Sequence, residues 1–240
     1  MASDTLPKTV WLPDLVALPG GWFMMGSLTG RPDERPWRRI GVRPVALGRT
    51  PVTNREYGGF VAAGAAPPRF WNDERFNAPR QPVVGVRWQD AVDYCDWLSD
   101  QIGRELRLPT EAEWEFAARG GAAVSLYPWG DEMPEAAPGV PLAAAPMDRP
   151  APAGSGPANP FGLLDMGWNI HEWCSDWYAA DSYWGMRRHD PQGPATGTRR
   201  ASRGGAWRHQ IKVSRCAARS AIPPEFAYND YGFRICAELE

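Results

Sequence analysis

The stretch RLPTEAEWEFAARGG, residues 107–121, does more than any other part of the chain to decide the fold. Thr110 and Glu113 have the spacing of a capping box. In that arrangement the Thr hydroxyl accepts the N–H three residues on, and the Glu carboxylate accepts the N–H of the cap. The spacing predicts a helix that begins after Thr110, and Gly120 is placed to end it. The buried side of this helix is expected to consist of its apolar residues, Ala112, Trp114, Phe116 and Ala117.

Two further helices are predicted from similar signals. Thr53 and Glu56 form a second capping box, which opens a helix that runs to about residue 63. Apolar residues recur at helical spacing over residues 90–102, and Gly103 follows as a stop. Strands are expected at residues 22–25 and 40–47, with strand-and-turn segments around residues 169–178, 203–207, 214–220 and 231–237.

The composition favours a loop-rich domain. The 240 residues include 25 Gly and 25 Pro, too many for a protein made mostly of helices or strands. The 13 Trp are typical of a domain in which Trp rings anchor irregular backbone to a core. The alternative is that they form a sugar- or peptide-binding surface. We expect one domain over residues 1–240, with an N-terminal extension at 1–14 and a Pro/Ala-rich loop at 133–160.

Charge and hydropathy limit the partners and the location. The net charge of −2 gives no sign of a nucleic-acid partner. The N-terminus lacks the pattern of a signal peptide, and no apolar run is long enough to span a bilayer. These features predict a cytoplasmic protein with no membrane partner.

The stretch at 107–121 and the nearby YPWGD (127–131) also carry a family resemblance, together with eight further stretches in the same order. These are LPGGWFMMG (18–26), TPVTNREY (50–57), QPVVGVRW (81–88), NPFGLLD (159–165), HEW (171–173), RGG (203–205), RCAAR (215–219) and GFR (232–234). Together they resemble the formylglycine-generating enzymes, or sulfatase-modifying factors. The resemblance implies an irregular, loop-rich α+β fold of the C-type-lectin-like kind, in which helices flank a small twisted antiparallel sheet.

The copper site of that family is not matched. Its enzymes hold Cu(I) on two cysteines that follow a Gly-Gly-Ser segment, and here the segment reads RGGAWRHQIKVSRC (203–216). The Ser position is Ala206, the first Cys position is His209, and the second cysteine is absent. Since Cu(I) prefers soft thiolate ligands, we expect no copper and no copper-dependent formylglycine formation. Whether the protein is an enzyme at all stays open.

The disulfides of secreted family members are not matched either. Cys216 corresponds to one half-cystine, but its mate's position is Ala118. Cys95 corresponds to another, and its mate is displaced by one residue to Cys236. A one-residue shift in an extended segment turns the side chain to the opposite face. With Cys174, these residues are expected to be mostly reduced, buried thiols.

Iron is a second metal to consider, because ergothioneine-making relatives bind it through histidines of a separate domain. This chain has three histidines, His171, His189 and His209. A three-histidine site would need all of them to converge, and a site of two histidines and one carboxylate would need two. The simpler expectation is that each histidine is hydrogen-bonded or faces solvent.

Calcium is the third metal. The resemblance implies a structural Ca²⁺ held by the Asp165 and Glu172 side chains and by the carbonyls of Trp168 and Ile170. Hard oxygen ligands on a tight turn suit this ion. The alternative is a turn in which Asp165 and Glu172 accept backbone N–H bonds. A second family calcium site is expected to be absent, because residues 137–146 replace its Asn-containing segment.

The C-terminal cleft is where the family lines its substrate groove. The residues proposed to contact a ligand there are Trp207, Arg208, His209, Tyr228, Asn229 and Asp230. Arginine forks suit carboxylates or phosphates, and aromatic rings stack on rings or sugars. The alternative is a salt-bridged core in which Arg215, Arg219 or Arg234 pairs with Asp230, Glu113 or Glu115.

Two function classes remain. The first is a binding or accessory protein, for maturation or partner binding, that holds a peptide, sugar or protein in this cleft. The second is a non-copper oxidoreductase acting on a small molecule or peptide, with non-heme iron as one option. Fold does not decide between them, since function depends on the grafted site.

Overall fold

The computed structural model describes residues 10–132 and 147–239. Its helices are α1 (Asn54–Ala62), α2 (Trp88–Ile102), α3 (Glu111–Ala118) and α4 (Ser182–Gly185), with short 3-10 helices at Pro32–Glu34 and Ile211–Val213. Its strands are β1 (Leu15–Leu18), β2 (Gly21–Met25), β3 (Arg38–Val42), β4 (Val45–Gly48), β5 (Leu106–Arg107), β6 (His171–Trp177), β7 (Arg200–Arg203), β8 (Arg219–Ile222), β9 (Tyr231–Phe233) and β10 (Cys236–Glu238). This is the predicted loop-rich α+β fold.

The strands form three sheets rather than one. The first has the order β1-β4-β10-β5, the second pairs β2 with β3, and the third has the order β8-β7-β6-β9. All pairs are antiparallel except β6 with β9, which is parallel. The single strand predicted at 40–47 is wrong. Arg43 and Pro44 separate β3 from β4, which belong to different sheets, and a proline cannot donate to a ladder.

The predicted helix starts are confirmed. The hydroxyls of Thr53 and Thr110 accept the N–H groups of Glu56 and Glu113 at 3.3 and 3.2 Å. Helix α2 begins at Trp88, slightly before the predicted start, and ends at Gly103, which has a φ of 66°. After α3, Gly120 has a φ of 68°, and a Cβ there would lie 2.6 Å from the Cβ of Pro160.

Helix α3 is buried on every side, so the prediction of one buried side is wrong. It packs against β2, β3, β6 and β7, and all eight of its residues are buried, including Glu111 and Glu115. Its glutamates face buried arginines, which form a cluster that we call the α3 ion-pair core: Glu111, Glu115, Arg119, Arg203 and Arg219. A buried acid is tolerated when paired in this way.

The ion pairs of α3 are short. Arg219 binds Glu111 through two nitrogens at 2.7 and 2.9 Å, and Arg203 Nη2 lies 2.6 Å from Glu115 Oε2. Burial acts to raise the pKa of Glu111, but Arg219 and Arg203 outweigh it, so that pKa is lowered. Arg219 is therefore part of the buried structure, as in the salt-bridged alternative, although its partner is Glu111 rather than Glu113, Glu115 or Asp230.

The remaining arginines of that alternative are also paired. Arg215 forks to Glu34 at 2.7 Å, and Arg234 forks to Glu172 at 2.8 and 2.9 Å. Neither partner is the one predicted. The arginines do form a salt-bridged interior, but one built from other acids.

The Pro/Ala-rich loop is packed where the structure describes it, from residue 147 onward. Ala151 and Ala153 are buried, and the Gln81 side chain donates to the carbonyl of Pro150 at 2.8 Å. Residues 133–146, with the segment expected to lack the second calcium site, lie outside the described residues. So does most of the N-terminal extension. None of the helices in the described residues is long and apolar enough to cross a membrane.

The cysteines are free thiols in this structure, and Cys95, Cys174, Cys216 and Cys236 are all buried. Burial raises the pKa of the Cys216 thiol to about 12. A thiol with such a pKa is inert at neutral pH. Cys216 is thus a packing residue in the core around α3.

Candidate functional site

Two histidines and an aspartate meet at one edge of the third sheet. His171 is the first residue of β6, and Asp230 directly precedes β9. Because β6 and β9 run parallel with His171 opposite Tyr231, both strands start at the same edge. His209, in the loop after β7, closes the group.

The geometry of this group, here called the histidine network, is tight. Nε2 of His171 lies 2.8 Å from Nδ1 of His209, and Nε2 of His209 lies 3.3 Å from Oδ2 of Asp230. One potential ligand atom from each residue lies within 4.8 Å of the others. Arg208 forks to the same aspartate at 2.8 and 2.9 Å. The network therefore contains one acid, one arginine and two imidazoles.

Solvent reaches the network at His209. His171 and Asp230 are fully buried, whereas the side chain of His209 is 35% exposed. Burial lowers the pKa of His171 to about 4, the neighbouring His209 adds to this effect, and Asp230 opposes it. The pKa of His209 is also lowered, chiefly by burial. Both rings are therefore neutral at pH 7.

One nitrogen of the network has no hydrogen-bond partner. Two neutral imidazoles carry two N–H groups. If His209 donates from Nε2 to Asp230, its Nδ1 accepts from Nε2 of His171, an assignment made from the hydrogen-bond pattern. Nδ1 of His171 is then a bare acceptor. Among the residues that the structure describes, this buried atom makes no hydrogen bond.

The predicted cleft residues are brought together, but they play different parts. Arg208, His209 and Asp230 belong to one network. Trp207 is only 9% exposed, packs in a cluster with Phe76, Val84 and Ile170, and lies 3.5 Å from the Asn229 carbonyl. Most of the Trp207 ring is therefore buried and supports the site from the interior side.

The outer edge of the cleft is aromatic. Tyr228 is 40% exposed and Phe226 41% exposed. Ring contacts at centroid distances of 4.8–6.0 Å form a continuous row through five residues: Phe226, Tyr228, Tyr231, His171 and His209. Phe226 was not singled out from the sequence. The available signal was its place two residues before Tyr228, in a segment with three aromatic residues among six.

His171 was not assigned to the cleft. It lies within the HEW motif, next to a glutamate that the resemblance assigns to calcium, and the strand pairing that brings it to Asp230 was not predicted. His189 lies elsewhere, with its ring against Trp22 at a centroid distance of 4.4 Å. A site of all three histidines is therefore not formed, whereas the arrangement of two histidines and one carboxylate is.

The residues predicted to hold calcium are engaged in hydrogen bonds. Asp165 has a φ of 62° and accepts the N–H groups of Gly154 and Gly156 at 2.6 and 3.2 Å. Burial raises the pKa of its carboxyl. Trp168 does not have a positive φ in the described backbone, so a side chain fits there. The Trp168 side chain therefore does not prevent its carbonyl from serving as a ligand.

Glu172 binds side chains rather than backbone. Its carboxylate accepts from Nε1 of Trp114 at 2.6 Å and from the guanidinium of Arg234. The hydrogen-bonded turn proposed as the alternative is thus present at Asp165 and replaced by an ion pair at Glu172. Calcium at these residues, with the carbonyls of Trp168 and Ile170, stays a prediction.

A cavity lies between β6 and the loop after α4, away from the predicted cleft. This cavity of about 350 Å³ is lined by residues that include Asp176 and Arg200. The Arg200 guanidinium is sandwiched between the rings of Trp88 and Trp177, at 3.5 and 3.6 Å from their centroids. Burial raises the pKa of Asp176 to about 7, and the nearby Glu111 adds to this effect. None of these four residues was a predicted site residue.

Known proteins resemble this chain along nearly all of its length. Residues 2–239 match the Sulfatase-modifying factor enzyme 1-like domain. The chain is 36% identical to the serine/threonine-protein kinase pkn1 of Chlamydia caviae, covering 94% of this chain and 38% of that protein. It is 33% identical to the formylglycine-generating enzyme of Streptomyces coelicolor, covering 94% and 89%.

Among solved structures, PvdO from Pseudomonas aeruginosa is similar, with a TM-score of 0.83 and 28% identity. The match covers 98% of this chain and 100% of that one. The chain thus spans less than half of the kinases that it matches but nearly all of the formylglycine-generating enzyme and of PvdO.

Proposed function

We propose, since this chain belongs to the sulfatase-modifying factor family, that it is an accessory protein that binds a polypeptide in the cleft beside His209. It does so without the copper chemistry of the formylglycine-generating enzymes. The observation that carries the proposal is the exposed aromatic edge of the cleft, next to the partly exposed Arg208 and His209.

The composition of this edge matches that of a binding hot spot. Tyrosine and arginine are enriched among the residues that contribute most to protein interfaces. Phe226 and Tyr228 are exposed side by side on one loop, with ring centroids 5.7 Å apart. Arg208, held by Asp230, presents a cation beside them. An extended peptide with apolar and acidic side chains fits this chemistry better than an uncharged sugar.

The residues at the copper position support a non-copper role. His209 stands where the resemblance implies the first thiolate, and Ala206 stands at the Ser position and is buried. The Cys216 thiol is buried in the core around α3. Absence of copper and of formylglycine formation remain part of the proposal. So do a cytoplasmic location and the lack of nucleic-acid or membrane partners.

Peptide selection tests the binding proposal. A random-peptide phage library is panned on the immobilised protein, and the affinity of an enriched synthetic peptide is measured for the wild type and for variants. We expect Tyr228→Ala and Phe226→Ala each to weaken binding at least about tenfold, which is about 1.4 kcal/mol. Trp184→Ala is the matched control, because Trp184 is an exposed aromatic on α4. Its affinity is expected to equal that of the wild type.

Two results would contradict the proposal. One is that no peptide is enriched. The other is that the enriched peptides lose affinity in Trp184→Ala and keep it in Tyr228→Ala. Trp207→Ala is not used for this purpose, since removal of a packed Trp ring costs about 3–5 kcal/mol of stability and would weaken binding indirectly.

An oxidoreductase remains the second candidate, and the histidine network is the observation that favours it. Two imidazoles and a carboxylate in one group are a donor set that redox metals accept. Oxygen consumption by the iron-supplemented protein in the presence of the selected peptide distinguishes the candidates. Stoichiometric binding without turnover is expected of the accessory protein.

A further inference from the structure

The two imidazoles of the histidine network face each other through one nitrogen each. At one end of the network, the Asp230 carboxylate lies 3.3 Å from Nε2 of His209. At the other end is the buried Nδ1 of His171, which makes no hydrogen bond in the described residues. If His171 carried its proton on Nδ1 and His209 on Nε2, the two nitrogens in the middle would both offer bare lone pairs. These are Nε2 of His171 and Nδ1 of His209, which lie only 2.8 Å apart.

We propose that a divalent transition-metal ion, with Zn²⁺ as the first choice, binds between Nε2 of His171 and Nδ1 of His209. The ion replaces the hydrogen bond between the two rings, because in these tautomers two imidazole lone pairs point at it together. His171 then carries its proton on Nδ1, the buried atom that makes no hydrogen bond in the part of the chain that the structure describes. His209 carries its proton on Nε2 and donates to Asp230.

The distances require only a small adjustment. Two nitrogens bound to Zn²⁺ at about 2.0–2.1 Å, with a tetrahedral angle between them, lie about 3.3 Å apart. The two rings must therefore separate by about half an ångström from their present 2.8 Å. His209 can make this movement, since its side chain is 35% exposed and sits on a loop rather than a strand.

Asp230 acts as a positioning residue. Its carboxylate is already forked by Arg208 and lies 3.3 Å from His209 Nε2. A carboxylate that accepts from the far nitrogen of a metal-bound histidine fixes the tautomer and ring orientation. This arrangement leaves the remaining coordination positions of the ion to water or to an incoming donor atom on the exposed side of His209. Imidazole ligands suit Zn²⁺, Cu²⁺, Ni²⁺ and Fe²⁺, so the donor set defines a class of ions.

This inference goes beyond peptide binding and does not rest on it. In the test, Zn²⁺ alone is titrated into the tag-free protein, and calorimetry measures the affinity and the number of ions bound. Co²⁺ is then used as a spectroscopic probe of imidazole ligation. We expect one ion per chain and visible Co²⁺ absorption. His209→Ala is expected to lower the Zn²⁺ affinity at least tenfold. Asp230→Asn is expected to lower it about tenfold or more through loss of ring orientation.

His189→Ala is the matched control, because His189 is the chain's remaining histidine and lies against Trp22. Its Zn²⁺ affinity is expected to equal that of the wild type. His209→Ala alters a partly exposed loop residue, and its melting curve verifies folding. The proposal is overturned if the wild type binds no Zn²⁺, or if His209→Ala binds it as the wild type does. Neither result affects the peptide measurement.

Discussion

Two buried polar networks lie on neighbouring strands of the third sheet, and they differ in how completely their groups are paired. In the α3 ion-pair core, Arg203 of β7 and Arg219 of β8 face Glu111 and Glu115. Each charge there has an opposite charge within 3.1 Å, including Nε of Arg203, which makes no hydrogen bond but lies 3.1 Å from Glu111 Oε1. In the histidine network, on β6 and β9, a nitrogen of His171 is buried without a partner in the described structure. Natural proteins rarely leave such a group unpaired unless it has a role.

The comparison separates structural from functional polar groups. A closed network of opposite charges offers nothing to a ligand, and its removal damages the fold. An incomplete network that opens to solvent through one side chain can still accept an ion or a donor group. The same sheet thus carries a stabilising network on β7 and β8 and a candidate site beside β6 and β9, both at one end of the strands.

The largest expected effect comes from breaking the complete network. Glu115 is fully buried and accepts from Gly26, Arg119 and Arg203. Glu115→Ala leaves buried arginine charge unpaired, which is expected to cost about 3–5 kcal/mol of the free energy of unfolding. Urea denaturation measures it. Asp14→Ala removes the partner of Arg49 in an exposed pair and is expected to cost less than about 1 kcal/mol. Equal costs for the two variants would mean that the core pairs contribute no more than surface pairs.

A smaller effect on the free energy of unfolding is expected from Asp176, a buried carboxyl. Both its oxygens accept backbone N–H groups, from Glu111 and Gly193, and its pKa is raised to about 7 from 3.8. Because the native state binds this proton more tightly than the unfolded state, the contribution of Asp176 to stability is full below about pH 4 and is lost as pH rises through about 7.

The pH dependence of Asp176 is measured by urea denaturation at pH 5 and pH 8. A shift of one unit corresponds to about 1.4 kcal/mol, so the wild type is expected to lose about 2–3 kcal/mol relative to Asp176→Asn between these pH values. The control is Asp14→Ala, whose difference from the wild type is expected to stay constant. A constant difference for Asp176→Asn as well would show that its carboxyl titrates normally.

The smallest expected effect is calcium stabilisation at Asp165 and Glu172. Calcium at about ten times its Kd adds RT ln 11, or about 1.4 kcal/mol, if it binds only the native state. For a domain of this size the melting temperature should rise by about 3–5 °C when EGTA is replaced by calcium. Identical melting curves would leave Asp165 and Glu172 as members of closed hydrogen-bond networks, like the α3 core.

The sequence predicted the local structure well where local interactions decide it. The caps at Thr53 and Thr110 and the stops at Gly103 and Gly120 lie within a few residues of the backbone they control, so each could be identified from spacing. Helix α3 shows the limit of this approach. Its glutamates look like an exposed side, and only their distant arginine partners explain their burial.

The site was predictable only in part, for the same reason. Arg208, His209 and Asp230 were singled out because two sequence segments were expected to line one cleft. His171 was missed because its place beside Asp230 results from the parallel pairing of β6 with β9, and such a pairing leaves no local signal. The register of distant strands is set by tertiary packing.

The order of strands also determines when this protein can fold during synthesis. Strand β10, at residues 236–238, lies between β4 and β5, and β9 adds the edge that carries Asp230. Until these segments leave the ribosome, β4 and β6 each keep an unpaired edge, and Glu172 lacks its ion-pair partner Arg234. Until residues 230–238 have emerged, the nascent chain therefore presents open strand edges, and such edges favour aggregation. Folding of this domain is therefore expected to complete only after β9 and β10 have been synthesised.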